Sequence, residues 1–198
     1  MRLFVAANMP AADRRRLHRA SRPLHESGLP VRWLPPENYH LTLKFLGEVP
    51  PEELDRIRDV VADVAAKSSP FKMRLSGFGA FPSLRRPRVI WVGAEPIPEM
   101  RALKHDLEWE LASLGFEREL RAFHPHVTIG RATPESRAGS FRDLEDMVAQ
   151  LQFQATISLK SVELMRSRLL RGDADYEAVA RLPLAGTAAR SQRSGGAA

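Results

Sequence analysis

Two tetrads in this chain carry residue types that can move protons. His40-Leu41-Thr42-Leu43 and His126-Val127-Thr128-Ile129 both read histidine, apolar, threonine, apolar. Side chains alternate faces along a β-strand. On a strand, each tetrad therefore turns its histidine and threonine to one face and its apolar pair to the other. Histidine titrates at about pH 6.5 when unperturbed, so two imidazoles aimed at one groove could act as acid and base. The threonine hydroxyls beside them would donate hydrogen bonds where negative charge develops.

The signal is unusual for this composition. Six histidines and five threonines in 198 residues give roughly 0.15 His-x-Thr triplets by chance, and the chain holds two. A serine version, His25-Glu26-Ser27, fails on context, because it runs into Gly28-Leu29-Pro30 with no strand around it. His18, His25 and His105 fall on expected helices and are read as structural. His124 and His126 flank Pro125 with equal parity, which would suit two metal ligands. No aspartate, glutamate or cysteine lies between Leu120 and Ala132 to complete such a site, so no metal and no cofactor is expected. There is no glycine-rich P-loop, no G-x-S-x-G elbow and no H-E-x-x-H motif.

The elements that must position the tetrads follow from periodicity and punctuation. Residues 2–7 read as a strand. A helix over 10–26 follows, with Leu17, Ala20 and Leu24 at helical spacing and Pro10 in its first turn. Residues 31–34 form a short strand, Pro35-Pro36 a rigid turn, and the first tetrad lies on a strand over 39–46. Pro50-Pro51 and Glu52-Glu53 open a helix whose core face is Leu54, Ile57, Val61 and Val64. Residues 71–78 and 89–92 read as strands.

Between those two strands, residues 81–88 cannot be regular. This loop carries Arg85, Arg86 and Arg88 and is read first as a solvated connection, with phosphate contact as the alternative. A third helix follows Pro96 and Pro98, with Leu103, Leu107, Leu111 and Leu114 inward. The second tetrad sits on a strand over 123–130. Ser140 and Asp143 suggest a capping box for a fourth helix. One strand is expected over 153–165, paired through a Gly172-Asp173 turn with 176–182. From Ala185 the chain is Gly, Ala, Ser and Arg, and disorder is expected over 185–198.

The tetrads lie 86 residues apart, each on a strand followed by a helix and further strands. This faint repeat predicts an α+β fold, bilobal and duplicated. Two small, mostly antiparallel sheets would face a central groove with helices outside, in a single domain over 1–184. Outside the tetrads the halves do not align.

Composition limits the rest. No apolar run approaches the roughly 20 residues needed to span a bilayer, and Met1 to Val5 leads straight into a strand, so neither membrane span nor leader is expected. The absence of cysteine removes thiolate chemistry and disulfides, which fits a cytoplasmic location. The net charge is +6 and the sequence pI about 10.3. Only five of the 30 basic residues are lysine. Arginine makes forked contacts to phosphate, so a polyanionic partner fits, as does simple codon bias, since the arginines are scattered.

The tetrads and their flanks resemble a known family. They look like the paired H-x-T-x motifs of the two-histidine (2H) phosphoesterases. Residues 2–6 (RLFVA), 31–38 (VRWLPPEN), 44–49 (KFLGEV), 79–82 (GAFP), 88–93 (RVIWVG) and 163–167 (ELMRS) resemble the RNA 2′,3′-cyclic phosphodiesterases, also called 2′-5′ RNA ligase-like. The resemblance implies hydrolysis of a 2′,3′-cyclic phosphate at an RNA or nucleotide end to a 2′-phosphate, without metal. It implies His40 as proton donor and His126 as proton acceptor, and the hydroxyls of Thr42 and Thr128 can donate to the non-bridging phosphate oxygens. It also implies a phosphate-holding arginine near the second motif, here Arg131. Five residues separate Arg131 from His126, so ideal alternation puts it on the wrong face unless the strand ends or bulges near Gly130.

The chemistry wants this set. A base must take a proton from water, an acid must protonate the departing ribose oxygen, and the two must stand on opposite sides of phosphorus. The expected partners are RNA ends or nucleotide cyclic phosphates, and the expected state is a monomer. A non-catalytic RNA binder, ligation to a 5′-hydroxyl, and hydrolysis of a small cyclic nucleotide remain alternatives. Trp33, Phe45 and Phe81 are read as core residues before base-stacking platforms.

Overall fold

The computed structural model describes residues 1–137, 139–170 and 173–186. The strands are β1 (Arg2–Asn8), β2 (Val31–Trp33), β3 (His40–Glu48), β4 (Phe71–Phe81), β5 (Val89–Ala94), β6 (His126–Ala132), β7 (Gln154–Leu159), β8 (Ser161–Leu170) and β9 (Asp173–Pro183). The helices are α1 (Ala11–Ala20), α2 (Arg22–His25), α3 (Leu54–Lys67), α4 (Pro98–Ala112) and α5 (Leu144–Gln150). The α+β class and antiparallel pairing agree with the sequence reading. Instead of two separate sheets, the strands form one, in the order β7-β4-β5-β6-β3-β1-β8-β9, with β2 on β6.

Its two halves, β7-β4-β5-β6 with β2 and β3-β1-β8-β9, meet at one described pair, Leu41 with Val127. Beyond that pair β6 turns to β2, with Trp33 opposite Gly130 and Leu34 N–H donating to Ile129 O at 2.9 Å. The tetrad strands are thus the two inner strands of the sheet. They touch once and then part, leaving room between their polar faces.

The core lies on one side of the sheet. Ile57, Val61 and Val64 of α3 and Leu103, Leu107 and Leu111 of α4 are all buried. They join Leu41, Leu43, Val127 and Ile129 from the apolar face of the tetrads in one cluster. Burying such a side chain is worth about 1.5–3 kcal/mol, which fixes the strand faces. On the opposite face Phe4, Ala6 and Met165 form a small apolar cluster, with Tyr176 against it.

Four local expectations change. The helix expected over 10–26 breaks at Ser21, because Pro23 lacks an N–H and its ring crowds the carbonyl four residues earlier. The strand expected over 153–165 is two strands. β7 pairs with β4 in one half and β8 with β1 in the other. The inward residues change from odd numbers (Ala155, Ile157, Leu159) to even (Val162, Leu164) across Lys160, which marks the break. No capping box forms at Ser140. Its hydroxyl accepts from Arg137 N–H at 2.9 Å, and α5 starts at Leu144. Of the tail expected to be disordered, Ala185 and Gly186 are pinned by N–H bonds to Ala65 O and Ser68 O at the end of α3. Residues 187–198 lie outside the described residues, as does Gly172 of the expected turn.

Candidate active site

Each tetrad strand bulges at the same place. On β3, Ala6 faces Thr42 and Val5 faces Lys44, so Leu43 is the extra residue. On β6, Trp91 faces Thr128 and Ile90 faces Gly130, so Ile129 is the extra residue. An extra residue reverses the alternation beyond it. The burial pattern shows this directly: Leu43 and Lys44 are both buried in β3, and Ile129 and Gly130 in β6. The next residue in each strand, Phe45 or Arg131, returns to the face of its histidine and threonine. The bulge removes the parity conflict for Arg131, which is exposed beside His126 and Thr128.

The histidines are held alike. His40 Nδ1–H donates to Asn38 O at 2.8 Å, and His126 Nδ1–H donates to His124 O at 2.7 Å. A carbonyl only accepts, so in each ring the proton sits on Nδ1 and Nε2 is left for chemistry. Each ring also has an aromatic flank. Phe4 and Tyr176 lie 5.0 Å from His40, and Phe81 and Trp91 lie 5.0 and 6.1 Å from His126. Because Leu41 faces Val127 in an antiparallel pair, the residues that flank this junction are His40 and Thr128 at one end and Thr42 and His126 at the other. The two histidines are then diagonal across this junction, and His126 is one of the groups whose charge acts on His40.

Electrostatics tie the groups together. Burial lowers the His40 pKa to about 4, against the upward pull of its bond to Asn38, and Arg131, Arg14 and His126 lower it further. Burial also lowers His126, again against its backbone bond, with Arg131 and His124 adding to the depression. One guanidinium, Arg131, thus acts on both rings. Arg14 is fixed by bonds to Met9 O at 2.8 Å and Glu37 O at 2.6 Å. Burial thus favours the neutral form of both rings, and an anion beside Arg131 would raise their proton affinity.

The other singled-out residues separate. Phe81 lines the groove against His126. Phe45 is 68% exposed, with its ring 6.1 Å from Phe4, and is not a core residue. Trp33 lies elsewhere, stacked on His25 at 4.5 Å and covering Gly130. Lys44, the residue after the first bulge, is buried and donates to Glu108 at 2.5 Å and Glu117 O at 2.8 Å. Among the described residues no group of three or more His, Cys, Asp or Glu could hold a metal ion, and no helix is long and apolar enough to cross a membrane. Sequence reasoning missed Phe4, Tyr176, Trp91 and Arg14, which reach the site through strand register and a helix rather than through spacing.

Comparison with known proteins agrees with this geometry. The profile of the LigT like Phosphoesterase family matches the chain twice, over residues 9–91 and 92–174, once around each tetrad. An RNA 2′,3′-cyclic phosphodiesterase of Methanothermobacter thermautotrophicus is 34% identical over 172 residues, covering 85% of this chain and 91% of that protein. One from Geobacillus stearothermophilus is 33% identical over 184 residues, covering 92% of this chain, which spans 57% of its length. The crystal structure of TT0787 from Thermus thermophilus superposes with a TM-score of 0.79 at 28% identity, covering 94% of this chain and 99% of that one. E. coli LigT complexed with 3′-AMP gives 0.71 at 26% identity, covering 92% and 97%. With a twice-matched profile and relatives this close, the chain belongs to the LigT-like phosphoesterases, the 2H family that its paired tetrads suggested.

Proposed function

We propose that this protein hydrolyses 2′,3′-cyclic phosphates of RNA ends or nucleotides to 2′-phosphates by two-histidine acid/base catalysis. The observation that carries the reading is the matched pair of Nε2 atoms, freed by identical Nδ1 bonds on two strands that touch between them. In the reaction, His126 Nε2 takes a proton from water as its oxygen attacks phosphorus. The bond from phosphorus to the ribose O3′ breaks, and His40 Nε2–H gives that oxygen its proton. Thr42 and Thr128 donate to the non-bridging oxygens, and Arg131 offers them a fork. The substrate's charge matters, because burial and Arg131 make protonated His40 a minor form near neutral pH. A phosphodiester anion against Arg131 offsets the push that this guanidinium exerts on His40.

Relatives named RNA 2′,3′-cyclic phosphodiesterase and a LigT complex with 3′-AMP support a ribose phosphate in this groove. Phe45, opposite Phe4 on the groove face, offers a ring on which a base can stack. A cysteine-free chain with a site complete in one copy fits a cytoplasmic monomer. Phosphorus NMR of the reaction with a nucleoside 2′,3′-cyclic phosphate tests the proposal. A 2′-phosphate product is expected, with loss of turnover in His40→Ala and His126→Ala. A 3′-phosphate product, or full activity in either variant, would overturn the assignment.

A further inference from the structure

We infer that a second, arginine-lined cavity next to the groove seats the phosphate backbone of single-stranded RNA upstream of the cyclic end. The inference rests on the hydrolytic reading above and extends it from a nucleotide to a chain. The cavity has a volume of about 780 Å³ and lies between the β4–β5 loop and the segment from Ser136 to Asp146. Arg85, Arg86, Arg88, Arg137 and Arg142 line it, facing only two carboxylates, Glu145 and Asp146.

The arginines here differ from those that are ion-paired elsewhere on the surface. Arg22, Arg56, Arg58, Arg166, Arg168 and Arg181 each have a carboxylate within ion-pair reach. Around the cavity only Arg85 has one, Glu145 at a loose 3.8 Å. Among the described residues Arg86, Arg88, Arg137 and Arg142 have no carboxylate within 4 Å. Five guanidiniums against two carboxylates leave an excess of positive charge in the cavity, and a run of phosphates relieves that repulsion. The wall is charged and its one aromatic, Phe141, is buried in the core, so an apolar ligand or a stacked base has little to rest on. Phosphate recognition by forked donors needs neither.

Position selects RNA over a free anion. Val89 faces Arg131 across the β5–β6 ladder, and Ala132 N–H donates to Arg88 O at 3.1 Å. Arg88, on the wall of the cavity, is thus the backbone neighbour of the Arg131–Ala132 end of β6. A chain whose cyclic end lies in the groove can continue past Arg131 into this cavity.

The test compares two substrates and one binding measurement. For the wild type, kcat/KM on an oligoribonucleotide with a 2′,3′-cyclic end should exceed that on a mononucleoside cyclic phosphate by about tenfold or more, and the advantage should shrink with salt. Arg86→Ala, Arg137→Ala and Arg142→Ala should each raise KM for the oligomer several-fold, leave its kcat alone and leave the mononucleotide untouched. Each lost phosphate contact should flatten the log–log salt dependence of oligomer binding by about 0.7. Anisotropy with a labelled oligomer ending in a 2′-phosphate reads the cavity without turnover, and Arg86→Glu should abolish the salt-sensitive part of that binding. Variants that change both substrates equally, or neither, would overturn the inference, as would an oligomer bound no better than a mononucleotide. If the wild type binds the oligomer through these arginines but hydrolyses no cyclic phosphate, the catalytic reading fails and the cavity stands.

Discussion

The strands β3 and β6 are the same device built twice, up to a point. Both carry the tetrad, both fix Nδ1 on the carbonyl two residues back, and both bulge at the tetrad's fourth residue. After the bulge they diverge. β3 continues Lys44-Phe45, and β6 continues Gly130-Arg131. Lys44 anchors its strand to α4 through Glu108, whereas Gly130 lets the Trp33 ring lie where a Cβ would stand at 2.6 Å. Phe45 and Arg131 then occupy matching places on the groove face, one a ring and one a fork. The shared part of the device suits proton transfer, which needs two like groups on opposite sides. The part that differs suits a substrate with a phosphate at one end and a base at the other.

The largest expected effect tests the likeness. His40→Ala and His126→Ala should each lower kcat on a nucleoside 2′,3′-cyclic phosphate on the order of 10²–10⁴-fold, with circular dichroism unchanged. Thr42→Ala and Thr128→Ala should each cost about 2–4 kcal/mol in kcat/KM, as loss of one oxyanion donor does. Comparable losses within each pair support a symmetric site. A loss below tenfold from one threonine would confine phosphate binding to the other half.

The next effects test the difference. Arg131→Lys keeps the charge but loses the fork, and should lower kcat/KM by about 2–3 kcal/mol whether or not the substrate carries a base. Phe45→Ala should cost about 1–3 kcal/mol, seen in KM, and only when a base is present. Assay on a ribose cyclic phosphate without a base separates the two. If Phe45→Ala slows that substrate equally, the ring is packing and not a platform. Away from the groove, Lys44→Met should cost about 3 kcal/mol of stability by urea unfolding, because it removes one partner from a buried ionic cluster. In that cluster burial by itself would raise the Glu108 carboxyl, but bonds from Lys104 and Lys44 hold it below the usual range. Gly130→Ala should cost about 1–3 kcal/mol by overpacking against Trp33 and Val31.

The likeness was legible in the sequence and the difference was not. Histidine, threonine and alternating apolar residues declare a strand face from spacing alone, so both tetrads and most elements could be read directly. Arg131 stayed ambiguous because a bulge is a property of two paired strands, and neither strand shows it alone. The same limit hid the joining of the halves through Leu41 and Val127, and the partners that Phe4, Tyr176 and Trp91 bring across the ladder. Two signals were present and overlooked. Pro23 marks the helix break, and the odd-to-even change of apolar phase at Lys160 marks the strand break.

The smallest effects are in pH, and they divide His40 from His25, whose ring packs on Trp33 outside the groove. Both rings are lowered to about 4, chiefly by burial. Unfolding lets each ring take up a proton at an ordinary pKa of about 6.5. Between pH 6.5 and about 4 the unfolded chain therefore holds more protons, and the folded state loses stability as pH falls through that window. The expected loss is on the order of 1 kcal/mol per ring, allowing for screening at half-buried positions. His25→Gln should flatten its share of this slope and leave activity unchanged. Saturating 2′-AMP should flatten the share of His40, because a phosphate beside Arg131 favours the protonated ring. For the same reason the pH profile of kcat should lie above that of kcat/KM, whose limbs are set by the empty site and should both fall below about pH 6.5. Coincident profiles would mean that the phosphate does not rest against Arg131, and the two halves would then differ in shape without differing in role.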